Sequence, residues 1–256
     1  MNEPDLHVFE AGEGDAIVLL HGLPSPPADL EALAPHLPGR RVLVPHLPGY
    51  GATPHAPGSQ GVEAIEAALI EALALRHVKN PVLVGHSMGG YRALSLALAM
   101  GARAVVCLGG FAELSPEEQG RFKGFADALR GGADLRKMLP PRFLSTAHRA
   151  ARPSDDREVE AWMDLAPADV LIEELDDLAS APPLLPRLRE LGCPVFARAG
   201  ELDAAVPPHH ARAIAEAARD GHLTLVPGVG HALLLEDHAG TLDAIRRASG
   251  LSGLSR

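Results

Sequence analysis

The sequence predicts an α/β protein: a doubly wound, mostly parallel sheet that carries an all-helical insertion. Three observations predict it. Short apolar runs of strand length alternate with longer stretches of helical periodicity, the rhythm of right-handed β-α-β crossovers around a parallel sheet. One junction in that rhythm, Asn80 to Gly101, reads as buried strand, Gly-rich turn and helix. Between about Phe111 and Pro186 the strand rhythm stops, and it resumes at Cys193.

Taken in order, Leu6 to Phe9 can form an edge strand, and the turn Gly12 to Asp15 leads into the apolar run Ile17 to Leu20. Pro26 to Leu37 carries Leu30, Leu33 and Leu37 at helical intervals, and Arg41 to Val44 is the next strand. A Pro/Gly loop follows, Pro45 to Gly51, and then a helix with Val62, Ile65, Leu69 and Leu73 on one face. Val82, Leu83 and Val84 form the unbroken apolar run of a strand buried on both faces, and Leu94, Ala97 and Leu98 follow at helical spacing. Ala104 to Leu108 is a fifth strand. In the insertion, Ser115-Pro116-Glu117-Glu118 is a capping box with proline at the first helical position, and Ser154 opens a long helical pattern through Trp162 to Leu178. Cys193 to Ala197 and Leu223 to Val226 are the last strands, with helices expected from Pro208 to Arg219 and from His238 to Ala248; Gly250 to Arg256 is expected to fray. The sheet core therefore comprises 1–110 and 187–256, with the helical insertion at 111–186.

Composition narrows the function classes. The 256 residues hold 33 Asp and Glu against 23 Lys and Arg, a formal net charge of −10 that repels a phosphate backbone, so no nucleic-acid partner is expected. No run approaches the ~18 apolar residues of a membrane span, and the acidic stretch Met1 to His7 lacks the pattern of a signal peptide. The expected setting is the cytoplasm, with no membrane partner. Cys107 and Cys193 fall in or beside predicted core strands, where a free cysteine packs as a small apolar residue.

The chemistry centres on Gly85-His86-Ser87-Met88-Gly89. A serine that attacks a carbonyl must stand clear of its own backbone, so the turn is strained and its neighbours must be small. Such a serine needs a base and an acid to orient that base. In an open parallel sheet, functional groups gather at the C-terminal ends of the strands. Among thirteen histidines, His231 alone sits in a Gly-rich loop just past a predicted strand end. Gly200 to Asp203 follows the preceding strand and offers Asp203 as the acid, with Glu201 as the alternative. The loop after Ile17 to Leu20, His21-Gly22-Leu23-Pro24, can supply one oxyanion donor from Leu23; Met88, the residue after the serine, supplies the other.

These pieces resemble the α/β-hydrolase fold superfamily over nearly the whole chain: His21-Gly22, Pro48-Gly49-Tyr50-Gly51, Gly85 to Gly90, Gly200 to Asp203, and Gly230-His231 followed by Glu236. Their order, Ser then Asp then His, is that family's order. The resemblance implies Ser87 as nucleophile, His231 as base, Asp203 as orienting acid, and Leu23 with Met88 as oxyanion donors. It implies no cofactor and no metal. Two residues depart from the family pattern: His46 stands where an aspartate is usual, and His238 where a proline is common.

The expected function is hydrolysis of a small ester, lactone or thioester through an acyl-serine, in the manner of the esterase and enol-lactonase group, on a small-molecule substrate. Alternatives are a lyase or acyltransferase using the same three residues, and a non-catalytic ligand receptor. The insertion concentrates bulky apolar side chains, and Phe111, Met138, Phe143 and Trp162 are the candidates to line the substrate pocket.

Overall fold

The structure is a computed structural model and describes residues 6–56, 58 and 61–251; the expected fraying of the C-terminus from residue 252 on lies outside them. Seven strands form one sheet: β1 (Val8–Ala11), β2 (Asp15–Leu20), β3 (Arg40–Pro45), β4 (Val82–His86), β5 (Ala104–Leu108), β6 (Val195–Gly200) and β7 (Gly221–Val226). Their order is β1-β3-β2-β4-β5-β6-β7, with β1 antiparallel to β3 and every other pair parallel. β1 and β2 are consecutive in sequence but separated by β3, so the connecting turn must cross the entry to β3. Gly12 makes that crossing at φ +76°, and a Cβ there would lie 2.3 Å from the Arg40 carbonyl oxygen.

Alternation along the strands divides the core in two. Val18, Leu20, Leu43, Leu83, Val105 and Val195 face the helices Val62–Leu75, Met88–Met100 and His209–Ala217. Ile17, Leu19, Val42, Val44, Val84 and Val106 face the Leu30–Leu37 segment and the helix His238–Ala248. The period of two sends successive side chains to opposite faces, and both faces are covered, which is why the runs read as continuous apolar stretches.

The helical boundaries differ from expectation in two places. Pro26 to Leu37 forms a short helix, Pro27–Glu31, and a 3-10 turn, Ala34–His36, because Pro35 cannot donate to a continuing α-helix. The long pattern after Ser154 divides into Pro153–Ala161, a 3-10 turn Trp162–Asp164 and the helix Ala168–Ala179, which starts just past Pro167. Strand β7 begins earlier than expected and includes His222, whose ring stacks on Phe196 of β6.

Between β5 and β6 the chain makes only helices and turns, opening with the capping box: Ser115 Oγ accepts from the Glu118 N–H while Glu118 accepts from the Ser115 N–H. The insertion leaves and returns at one neck, where the Leu184 N–H donates to the Ala112 carbonyl at 2.7 Å. It is joined to the sheet layer by a buried polar group. Tyr50 OH, from the loop after β3, donates to Glu174 Oε2 at 2.7 Å, and Arg92, on the helix that follows β4, lies 3.7 Å from Glu174 Oε1. Glu174 is fully buried. Burial pushes its carboxyl up to about 7, with the Arg92 guanidinium opposing that shift.

A carboxyl with a raised native pKa holds its proton where the unfolded chain has lost it, so stability falls as pH rises through that interval. In chemical denaturation at stepped pH, the unfolding free energy of the native chain should fall relative to Glu174→Gln between about pH 4.3 and about pH 7. A difference that stays flat across the interval would show that Glu174 titrates as an ordinary carboxylate.

Candidate active site

The site collects at the C-terminal ends of the strands. Ser87 joins β4 to the helix Met88–Met100 at φ 56°, ψ −122°, a conformation that costs a non-glycine residue about 1–3 kcal/mol. Its neighbours must be glycine. A Cβ on Gly85 would lie 1.9 Å from the Gly89 carbonyl oxygen, and one on Gly89 would lie 2.1 Å from that of Leu20 at the end of β2. The Ser87 N–H donates to the Leu108 carbonyl at 2.8 Å, tying the turn to the end of β5.

Asp203 and His231 follow β6 and β7, and the structure brings them together. His231 Nδ1 lies 2.7 Å from Asp203 Oδ2, and neither side chain is exposed. The other carboxylate oxygen, Oδ1, accepts from the Ala205 and Val206 N–H groups at 2.9 and 2.8 Å, which fixes the rotamer of Asp203. With Nδ1–H donated to the carboxylate, Nε2 carries the free lone pair, and it meets no hydrogen-bond partner. No Ser87–His231 hydrogen bond is formed, although both residues border one cavity; such contacts are often loose before substrate binds. Glu201, the alternative acid, is exposed and makes no contact with the imidazole. Gly109 makes room for the pair, since a Cβ there would approach His231 Nδ1 to 3.2 Å.

Two further buried histidines frame the site as neutral groups. His86 Nε2 donates to the His231 carbonyl at 3.0 Å, and burial lowers its pKa to about 4. His21 Nε2 accepts from the Leu47 N–H at 3.2 Å, so its Nδ1 carries the hydrogen; burial lowers it to about 3. His46, one of the two departures, spans the loop after β3: its Nδ1 accepts from the Ala52 N–H at 3.0 Å and its Nε2 donates to Glu31 at 2.7 Å.

The cavity has about 820 Å³ of empty space including its open mouth. Ser87, Met88, Leu23 and His231 form its floor, and Phe111, Met138 and Phe143 stand among its walls. Met88 is the first residue of its helix, so its N–H has no intrahelical acceptor. Trp162 is a correction: it does not line the cavity. Its indole packs edge-on against Phe143, ring centroids 5.9 Å apart, in a small separate cluster with Val159 and Leu144. Sequence reasoning missed Arg121 and Arg142, which border the cavity; its one signal was the four-residue spacing of Arg121 and Phe125 on one helix face.

The insertion also holds the histidine loop. The His231 and Ala232 N–H groups both donate to the Phe143 carbonyl, at 2.8 and 2.9 Å. Glu236 Oε1 accepts from the Gly230 and Ser145 N–H groups at 3.0 and 3.1 Å. Among the described residues, one group has metal-ligand spacing, Glu118 with His209 and His210. Its central carboxylate is already engaged, by the His210 imidazole at 2.7 Å and by the Ser115 N–H at 2.8 Å, so hydrogen bonding between two helices accounts for the arrangement.

Comparison with known proteins places the fold and the family. The sequence model of the alpha/beta hydrolase family matches residues 17–244. The chain belongs to the alpha/beta hydrolase family. The sn-1-specific diacylglycerol lipase ABHD11 of Danio rerio is 35% identical over 97 residues, 36% of this chain and 30% of that protein. The chain thus aligns with under a third of that relative's length. Among solved structures, an esterase from Thermogutta terrifontis superposes with a TM-score of 0.85 at 25% identity, covering 96% of this chain and 93% of that one. The enol-lactonase of Burkholderia xenovorans LB400 gives 0.86 at 18% identity, covering 96% of both, a likeness of fold. Among the described residues, no helix is long and apolar enough to cross a membrane.

The Asp203–His231 bond has a direct spectroscopic reading. Proton NMR of the native chain should show a strongly deshielded imidazole N–H that disappears in Asp203→Asn and persists in Glu201→Gln. Persistence in Asp203→Asn would move the acid elsewhere.

Proposed function

We infer that the chain is a serine hydrolase that cleaves a small ester, lactone or thioester through an acyl-serine intermediate. The observation that carries this reading is the buried Asp203–His231 pair, in which His231 keeps an unpartnered Nε2 and borders the same cavity as Ser87 at its strained turn. The family, and the lipase and esterase likenesses, support a hydrolytic role.

In this mechanism Ser87 Oγ attacks the acyl carbon while His231 Nε2 takes the hydroxyl proton, and Asp203 stabilises the imidazolium. The carbonyl π pair moves to oxygen, where the Leu23 and Met88 N–H groups receive the oxyanion. Collapse expels the alcohol or thiol, which takes the proton from His231. Water then repeats the sequence on the acyl-serine and frees Ser87. The insertion serves as a lid whose inner wall shapes the acyl pocket. Two free, buried thiols, Cys107 and Cys193, suit a reducing compartment, so a cytoplasmic setting belongs to the same proposal.

A fluorophosphonate should add its mass to the peptide holding Ser87, and p-nitrophenyl esters should turn over with kcat reduced roughly 10⁴-fold or more in Ser87→Ala and His231→Ala. Adduct confined to another serine would overturn the assignment, and acylation without turnover would favour a transferase.

The cavity walls make a separate forecast. Phe143→Leu or Met138→Ala should shift the kcat/KM ratio between short and long acyl esters by about 1–3 kcal/mol, whereas Trp162→Phe should lower the melting temperature and leave that ratio unaltered. A ratio that responded only to Trp162 would place the acyl chain elsewhere.

A further inference from the structure

The chain carries an excess of ten acidic over basic residues, yet among the described residues its cavity borders two arginines, Arg121 and Arg142, and no Asp or Glu. Both arise from the insertion: Arg121 on the helix Pro116–Arg130, Arg142 on the turn Pro140–Phe143. They sit close together. Arg121 and Phe125 are one helical turn apart on the same face, and the Arg142 guanidinium lies over the Phe125 ring, 5.2 Å from its centroid. Arg142 thus covers the aromatic side chain that lies one helical turn from Arg121, and all three border an otherwise apolar wall of the cavity.

Neither cation is in a salt bridge among the described residues. Arg142 donates to the Ala204 carbonyl at 3.3 Å, and Arg121 makes no hydrogen bond among the described residues. By contrast, the nearby Arg130 and Arg136 each reach an aspartate. Burial and then repulsion from Arg121 lower the pKa of Arg142, with the buried Asp203 opposing them. Holding two half-buried guanidiniums beside each other is unfavourable unless something anionic comes between them.

We propose that Arg121 and Arg142 form an anion subsite for the substrate, so that the preferred ester carries a carboxylate at the end of a short apolar chain. The arginine fork suits a carboxylate, to which it can make two parallel hydrogen bonds. Phe111, Phe122 and Met138, which line the same cavity as Ser87 and the arginines, accept the methylene chain. The proposal rests on the serine-hydrolase reading for its chemistry, but not for its binding.

The test uses matched esters of equal length. The p-nitrophenyl monoester of glutaric acid is compared with p-nitrophenyl pentanoate, and para-carboxyphenyl butyrate with para-carbamoylphenyl butyrate, which places the carboxylate on the acyl or the alcohol side. The native chain should favour the charged member of one pair by about ten-fold or more in kcat/KM, the reach of one charge-assisted hydrogen bond, and Arg121→Gln and Arg142→Gln should each bring that ratio back toward one. Because Arg142 also braces Ala204, Arg121→Gln is the cleaner variant. Calorimetry of glutarate binding to Ser87→Ala gives a readout independent of turnover, and binding should weaken at least ten-fold when Arg121→Gln is added. Equal rates for charged and neutral esters, or ratios and glutarate binding indifferent to both arginines, would overturn the subsite. Glutarate binding that depends on Arg121 in a chain whose Ser87 takes no phosphonate would sustain the subsite and sink the hydrolase reading.

Discussion

The close approach of β2, β4 and β5 at their C-terminal ends is the constraint on which the site depends. Gly85 and Gly89 touch across the turn, Gly89 rests on the Leu20 carbonyl, and Gly90 and Gly110 close around Cys107. No side chain fits at these contacts, so the backbone holds Ser87 in its positive-φ conformation through packing and the hydrogen bond to Leu108. A residue kept in a sparsely populated region persists only when its surroundings over-determine it. Here three strands and a helix terminus do so, and the same closeness sets Leu23 and Met88 on the floor of one cavity.

Around that fixed point the insertion acts through two attachments of different character. One is a set of hydrogen bonds donated by backbone N–H groups: the Phe143 carbonyl and the Glu236 carboxylate bind the His231 loop to the turn that follows Pro140. The other is the buried group of Tyr50, Glu174 and Arg92, which joins the insertion to the helix carrying Met88, and Arg92 reaches the Met88 sulfur at 3.9 Å. Burying a carboxylate and a guanidinium gains little net stability over apolar packing, but breaking one partner leaves the other stranded. The arrangement therefore constrains the position of the cavity roof more than it strengthens the fold.

The legible parts of the sequence were those where one local rule decides. The strands were readable because each is buried on both faces and must be apolar throughout; the elbow, because only glycine relieves its contacts; the first helix of the insertion, because Ser115 and Glu118 satisfy each other's backbone neighbours. Boundaries were less legible. Pro35 and Pro167 override apolar periodicity that would otherwise continue a helix, and β6 runs to Gly200 because its pairing with β7 continues beyond the apolar run.

By itself the sequence determined the order of strands and helices, the turn at Ser87, and the residue types able to serve it, since these follow from covalent geometry, glycine's missing side chain and the period of apolar residues. Tertiary structure alone decided which of two carboxylates reaches His231, because Asp203 and Glu201 differ only in the direction in which a loop turns after β6. It also decided that Phe143 faces the cavity while Trp162 packs behind it, and that Arg142 lies over Phe125 and borders the same cavity as Arg121. Those are contacts between segments distant in the chain, and no local propensity encodes them; they exist only once the sheet has fixed where each segment begins and ends.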